Sequence, residues 1–262
     1  MKGLEIDIEM ARIFWALIFL SVSSLYDLRS REVPDKVWAV FAPVALALLF
    51  FQYYVSQLPV FSLMLSVAVT TGVALALFYF GFFGGADAKA LICVSLAVPL
   101  YPEASLYKPL LPEYPFPLSV LGNAAVGSSL LILVMIIRNF SELVVGEERI
   151  FEGFEEEPFW RKIIVFMTGM RVDVKKLGSG SHYIPLEYFI NEANGTVSRH
   201  LRLSWSLDEE ESGEVGDILR YVEGKVWVTP GLPFIVFITA GFLFALIFGD
   251  IITWIIIFFT GL

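Results

Sequence analysis

From Val37 to Ala86 the chain carries no charged residue. A stretch so long and apolar cannot coat a water-soluble domain. It suffices to cross a hydrocarbon core of about 30 Å twice, at about 20 residues per crossing. Gln57 and Pro59 break it once, and the glycines from Gly81 to Gly85 end it. Only helices satisfy their own backbone polar groups in lipid, so these crossings are helices. The same reading extends along the chain to six spans. They are Glu9–Tyr26, Pro34–Tyr54, Val60–Phe80, Asp87–Leu100, Leu118–Ile137, and a last one from near Gly231 that can run to the C-terminus. Composition agrees, with 57% hydrophobic residues and a mean hydropathy of +0.73. No removable signal peptide is expected. The first apolar run has no small-residue cleavage site and holds Arg12.

The expected fold is a polytopic membrane α-helical bundle of six transmembrane helices with a small β-rich or α+β cytoplasmic domain. Residues 1–138 form the first five helices, 139–229 the extramembrane domain and 230–262 the sixth helix. In the domain, Arg161–Phe166, Thr196–Leu203 and Lys225–Thr229 are rich in β-branched and aromatic residues and predict strands. Most of the net charge of −9 lies here: 17 acids and 10 bases fall between Asn139 and Thr229. That balance argues against a nucleic-acid surface. The acidic run from Glu147 to Glu157 reads as a solvated loop or helix face. His182 and His200 lack metal-ligand spacing and read as ordinary surface residues. The single Cys93 excludes a disulfide framework.

Basic residues in short loops orient the spans. Arg29, Arg31 and Lys36 follow the first span, Lys89 opens the fourth, and Arg138 ends the fifth; all fall on one side of a six-span topology. Lys2, Arg12 and Lys108 fall on the other. The richer side is expected to be cytoplasmic, which puts 139–229 there as well.

Asp27 ends the first span and Asp87 opens the fourth, both on that side. The fourth span has only about 13 residues from Asp87 to Pro99, or roughly 20 Å. If its outer end reaches the interface, Asp87 lies in a recess. Gly84 and Gly85 allow close backbone approach and unusual dihedrals there. Two readings follow. In one, Asp87 is a helix cap, Lys89 snorkels, and Asp27 pairs with Arg29 or Arg31. In the other, Asp27 and Asp87 are a coupled acid–base pair that activates water and protonates a peptide carbonyl. No HExxH and no Ser-His-Asp order offers a different protease apparatus.

An aspartate ending the first helix, then a basic segment and Val33-Pro34-Asp35, resembles the type IV prepilin peptidase family. So does Gly84-Gly85-Ala86-Asp87 opening a helix, which follows the Gly-x-Gly-Asp pattern that family shares with presenilin-type intramembrane proteases. Ala86 departs from the pattern's second glycine, and its methyl group fits where φ is negative. The late single extramembrane domain is similar to that of the archaeal preflagellin peptidases. The resemblance implies an aspartic endopeptidase that removes a short basic leader from preflagellin at the cytoplasmic face, just before the substrate's hydrophobic helix. It implies Asp27 and Asp87 as catalytic residues, no cofactor and no metal, and the lipid bilayer as surroundings. An acidic domain, through residues such as Glu155 to Glu157, would attract such a leader.

Among the other charged residues, Asp35 reads as a cap of the second span or as a support that positions the catalytic pair, and Lys89 as a snorkelling residue or a substrate contact. Asp250, after Gly249, reads as an interfacial or helix-break residue. The rival is a small proton- or ion-coupled transporter that uses Asp27, Asp87 and Asp250.

Overall fold

The computed structural model describes residues 2–56, 58–107, 109, 113–145, 150–177, 183–191, 197–202 and 224–260. His182, Lys108, Gln57 and the segment 146–149 of the acidic run lie outside them. The chain forms two compact units, 1–128 with 233–262, and 129–232.

The first unit is helical. It contains α1 (Lys2–Ser30), α2 (Asp35–Ser56), α3 (Val60–Tyr79), α4 (Gly85–Ala97), the first part of α5 (Phe116–Val145), α7 (Phe234–Ile247) and α8 (Ile251–Thr260). Four of these are long and apolar enough to cross a membrane: α1 from Leu4, α2, α3 and α5. The bent pair α7 and α8 makes a fifth if it is one span. Among the described residues this gives four or five spans, so the count of six is not confirmed. The helix that falls short is α4, whose 13 residues cannot bridge a bilayer alone.

The small residues of α4 explain its place. It packs against α1, α2, α3 and α7, and Ala88, Ala90, Leu91, Cys93, Val94 and Ala97 are all buried. Small side chains let helix backbones approach closely, and in lipid such packing supplies the attraction that the hydrophobic effect supplies in water. Polar groups close the C-terminal end of α4. Arg12 of α1 donates through Nε to the Ala97 carbonyl at 2.7 Å and through Nη1 to Gln52 of α2. Ser66 of α3 donates to the Pro99 carbonyl at 2.5 Å. A cation at a helix C-terminus is favoured by the dipole. Arg12 is thus buried, at 5% exposure, and is not a loop charge that bears on orientation.

The sixth span is broken, not continuous. α7 and α8 meet at a bend of 56°, with Gly249 at φ 84°. Asn123 of α5 clamps the break. Its Nδ2 donates to the Gly249 carbonyl at 2.9 Å, and its Oδ1 accepts from the Ile251 N–H at 2.9 Å. Asp250 caps α8 by accepting from the Ile252 N–H at 2.9 Å and the Thr253 hydroxyl at 3.2 Å. This is the helix-break role expected of it.

The second unit holds the last part of α5, α6 (Phe159–Thr168) and five strands: β1 (Met170–Asp173), β2 (Tyr183–Pro185), β3 (Glu187–Asn191), β4 (Val197–Leu201) and β5 (Lys225–Pro230). β5 lies between β1 and β2 in an antiparallel sheet, and β3 pairs with β4. Two of the three predicted strands are present as β4 and β5. The third, Arg161–Phe166, is helical, because Pro158 starts a helix there and the helix buries Val165 against Ile150, Phe154 and Trp227. Packing overrides β-propensity at such a segment.

Two acids in this unit are structural. Glu157 is 6% exposed. It binds Arg161 at 2.9 Å, His200 Nδ1 at 3.0 Å and the Leu201 N–H at 3.1 Å. It is therefore not part of a solvated acidic face, and His200, which also stacks on Tyr188, is not an ordinary surface residue. Glu187 is fully buried. It accepts from the Trp227 N–H at 2.5 Å and Arg199 Nε at 2.7 Å. Burial pushes its carboxyl up from the ordinary value, and the Arg199 and Trp227 contacts pull it back.

Two glycines give opposite expectations. A Cβ on Gly241 in α7 would lie 2.6 Å from the Val120 carbonyl and 2.9 Å from the Ala124 nitrogen of α5. Gly241→Ala should destabilise by about 1–3 kcal/mol through overpacking. Gly72 in α3 has nothing within 4 Å of such a Cβ, so Gly72→Ala should be neutral or stabilising by up to about 1 kcal/mol. Thermal unfolding in detergent followed by circular dichroism checks both; equal melting of the two variants contradicts the packing account.

Candidate active site

Asp27 lies near the C-terminal end of α1 and is 6% exposed. Its Oδ2 accepts the backbone N–H of Ile235 at 3.1 Å. Ile235 is in the first turn of α7, whose leading N–H groups have no partner inside the helix. A carboxylate there satisfies one of them and meets the positive end of the dipole. Ser24, one turn earlier in α1, shares a hydrogen bond of 2.8 Å with Thr239 of α7. The two contacts fix α1 against α7 over a full turn. No ion pair joins Asp27 to Arg29 or Arg31. Arg31 ends the helix at φ 58°, and its Nε and Nη1 are buried without a hydrogen-bond partner. Its charge still acts on Asp27.

Asp87 is the third residue of α4 and is half-buried. Its Oδ2 accepts the Gly84 N–H at 3.0 Å. Gly84, not Asp87, is therefore the N-cap of α4, and Asp87, expected as the N-cap, stands at the third helical position and binds back to the cap's N–H through Oδ2. Gly84 has φ −70°, and Gly85 and Ala86 also avoid positive φ. The motif's glycines are not needed here for unusual dihedrals; the left-handed residue of this turn is Gly81, at φ 76°. What Gly84 provides is room. A Cβ on it would sit 3.2 Å from Asp87 Oδ2, whereas one on Gly85 would make ordinary contact with Phe78 at 3.7 Å. Ala86 is accommodated because its backbone is helical.

The two carboxylates are brought to one place by adjacent backbone. Phe83 precedes Gly84, which binds Asp87. Phe234 precedes Ile235, which binds Asp27. The rings of Phe83 and Phe234 touch, with centroids 5.0 Å apart. α1, α4 and α7 each pack on the other two, and the charge of Asp27 acts on Asp87. Neither carboxylate is ion-paired among the described residues.

The remaining residues singled out in the sequence divide between this place and others. Lys89 and Asp35 form an ion pair at 2.6 Å with both side chains well exposed. Such an exposed pair contributes about 0–1 kcal/mol. Asp250 lies beyond the far end of α7, roughly 20 Å along the helix from Ile235, and is occupied in capping α8. It does not join the other two aspartates, and the transporter reading that grouped all three is not supported. No cluster of three or more His, Cys, Asp or Glu side chains among the described residues is arranged to hold a metal. Sequence reasoning missed Ile235. The signal available was Pro233, a residue type favoured just before or at a helix start.

Residues 14–137 match the type IV leader peptidase family, and residues 161–251 match the archaeal peptidase A24 C-terminus type II. Together the two matches cover over four fifths of the chain. A preflagellin peptidase of Methanocaldococcus jannaschii is 26% identical over 247 residues, covering 89% of this chain and 92% of that protein. A preflagellin peptidase of Methanococcus voltae is 22% identical over 243 residues, covering 89% of this chain and 93% of that protein. Membrane-crossing helices and these matches agree: the chain is similar to the type IV leader peptidases over 14–137 and to the archaeal peptidase A24 C-terminus over 161–251, and it is a multi-pass membrane protease.

Proposed function

We propose that this protease removes the short basic leader of a preflagellin, cutting just before the substrate's hydrophobic helix, with Asp27 and Asp87 as its catalytic pair. The observation that carries the reading is the convergence of the two carboxylates at the N-termini of α7 and α4. The activity follows that of the relatives named above. The basic loop residues on the same side as both aspartates favour the cytoplasmic face as the site of cleavage.

The chemistry is that of a coupled dyad. Two nearby carboxylates screened from water share one proton. The ionised member withdraws a proton from water, and the resulting nucleophile attacks the scissile carbonyl carbon. The protonated member gives its proton to the carbonyl oxygen. The tetrahedral intermediate collapses as the nitrogen is protonated, and the leader departs. The roles belong to the pair and exchange across the cycle. Each Oδ2 is held by a backbone N–H, which fixes the carboxyl planes and leaves Oδ1 of each for water and substrate.

Two sets of variants test this. Asp27→Asn and Asp87→Asn should each lower cleavage of a leader-bearing preflagellin by about 10²–10⁴-fold, read by mass spectrometry, with melting temperatures near wild type. Full activity in either folded variant refutes the pair. Gly84→Ala should crowd Asp87 and lower kcat by roughly tenfold, the effect of about 1.4 kcal/mol on the barrier. Gly85→Ala should cost less than half that on a logarithmic scale. The reverse order would show that Gly84 matters for something other than room beside the carboxylate.

A further inference from the structure

From Phe116 to Ile137, α5 carries no charge. At 1.5 Å per residue this run is about 33 Å long, close to the roughly 30 Å of a hydrocarbon core. Arg138 is thus the first charged side chain to leave the apolar layer, at the depth of lipid headgroups. Around it the unit 129–232 forms a polar cavity of about 390 Å³, lined by Arg138, Glu142, Arg171, Asp173, Lys176 and Lys225. Among the described residues four cations face two carboxylates, although the surrounding region from Asn139 to Thr229 is acidic overall.

The two lining acids are both engaged by groups of this unit. Glu142 is shared, 2.5 Å from Lys225 Nζ and 3.8 Å from Arg171 Nη1. Asp173 accepts the Lys175 N–H at 2.9 Å, closing its own turn. Arg138 is oriented by donating to the Arg171 carbonyl at 3.3 Å and to the Met170 sulfur. Holding the guanidinium in advance lowers the entropy lost on binding an anion. Planar guanidinium groups suit phosphate oxygens, which they bind through two parallel hydrogen bonds.

We propose that this cavity binds the phosphate-bearing headgroup of an anionic membrane lipid. Basic pockets beside the ends of transmembrane helices are suited to such headgroups. A free phosphate would meet the same cations, but the depth of Arg138 along α5 favours the lipid as the source. The basic leader of a substrate would be repelled, so the site is independent of the cleavage reaction.

The test uses the full chain in nanodiscs of phosphatidylcholine, with and without phosphatidylglycerol, read by hydrogen–deuterium exchange. Phosphatidylglycerol should slow exchange in 170–177 and 224–228 by roughly tenfold, the protection expected when a ligand is present at about ten times its Kd. Lys176→Gln alters an exposed side chain and should fold normally. It should shrink the protection several-fold, and Arg138→Gln should abolish it. Wild-type exchange in β3 verifies that each variant is folded. Equal exchange in the two lipids overturns the proposal, as does undiminished protection in both folded variants. Equal protection by inorganic phosphate in phosphatidylcholine nanodiscs overturns the lipid assignment in favour of a soluble anion.

Discussion

An ionisable side chain within an apolar bundle needs a polar partner, and the partner it finds decides where it sits. For Asp27 that partner is the leading turn of α7. The helix contributes an unpaired N–H and the positive end of its dipole, with no opposing charge. This arrangement keeps a carboxylate in place without locking it into an ion pair. The same solution recurs at Asp87, held by the N–H that precedes its own helix. Both acids are positioned by backbone N–H groups through Oδ2.

The short α4 makes the meeting of the two acids possible. A helix long enough to span the bilayer would carry its first turn to the membrane surface. With 13 residues, α4 is surrounded by α1, α2, α3 and α7, and its far end is finished by Arg12 and Ser66. The buried polar groups at the two ends do different work. Those at the far end pair with one another and with carbonyls, and terminate the helix. Those at the near end hold two carboxylates by backbone N–H groups, with no ion pair to either among the described residues.

The membrane class and the shortness of the fourth helix were legible in the sequence, because each rests on local pattern: hydropathy and residue count. The bond from Ile235 to Asp27 was not, since it joins residues 208 apart through a backbone atom that every non-proline residue carries. Of the two reasons the sequence offered for the glycines, close approach holds at Gly84, where a Cβ would crowd Asp87, and unusual dihedrals do not, since φ there is negative. Arg161–Phe166 and Glu157 were misread for a common cause. β-propensity and charge describe an isolated segment, whereas α6 and the Glu157 network are set by the partners they bury against.

The proximity of Asp27 and Asp87 can be measured directly. Asp27→Cys and Asp87→Cys would be combined in a Cys93→Ser background, since the native thiol is buried in the same helix. Mild oxidation, or a short bifunctional thiol reagent, is then followed by mass spectrometry of the digested protein. The account predicts a crosslink joining peptides from α1 and α4 within single chains, and none when Asp87→Cys is replaced by Asp250→Cys. Two reactive thiols at 27 and 87 that are never joined by either route would contradict it.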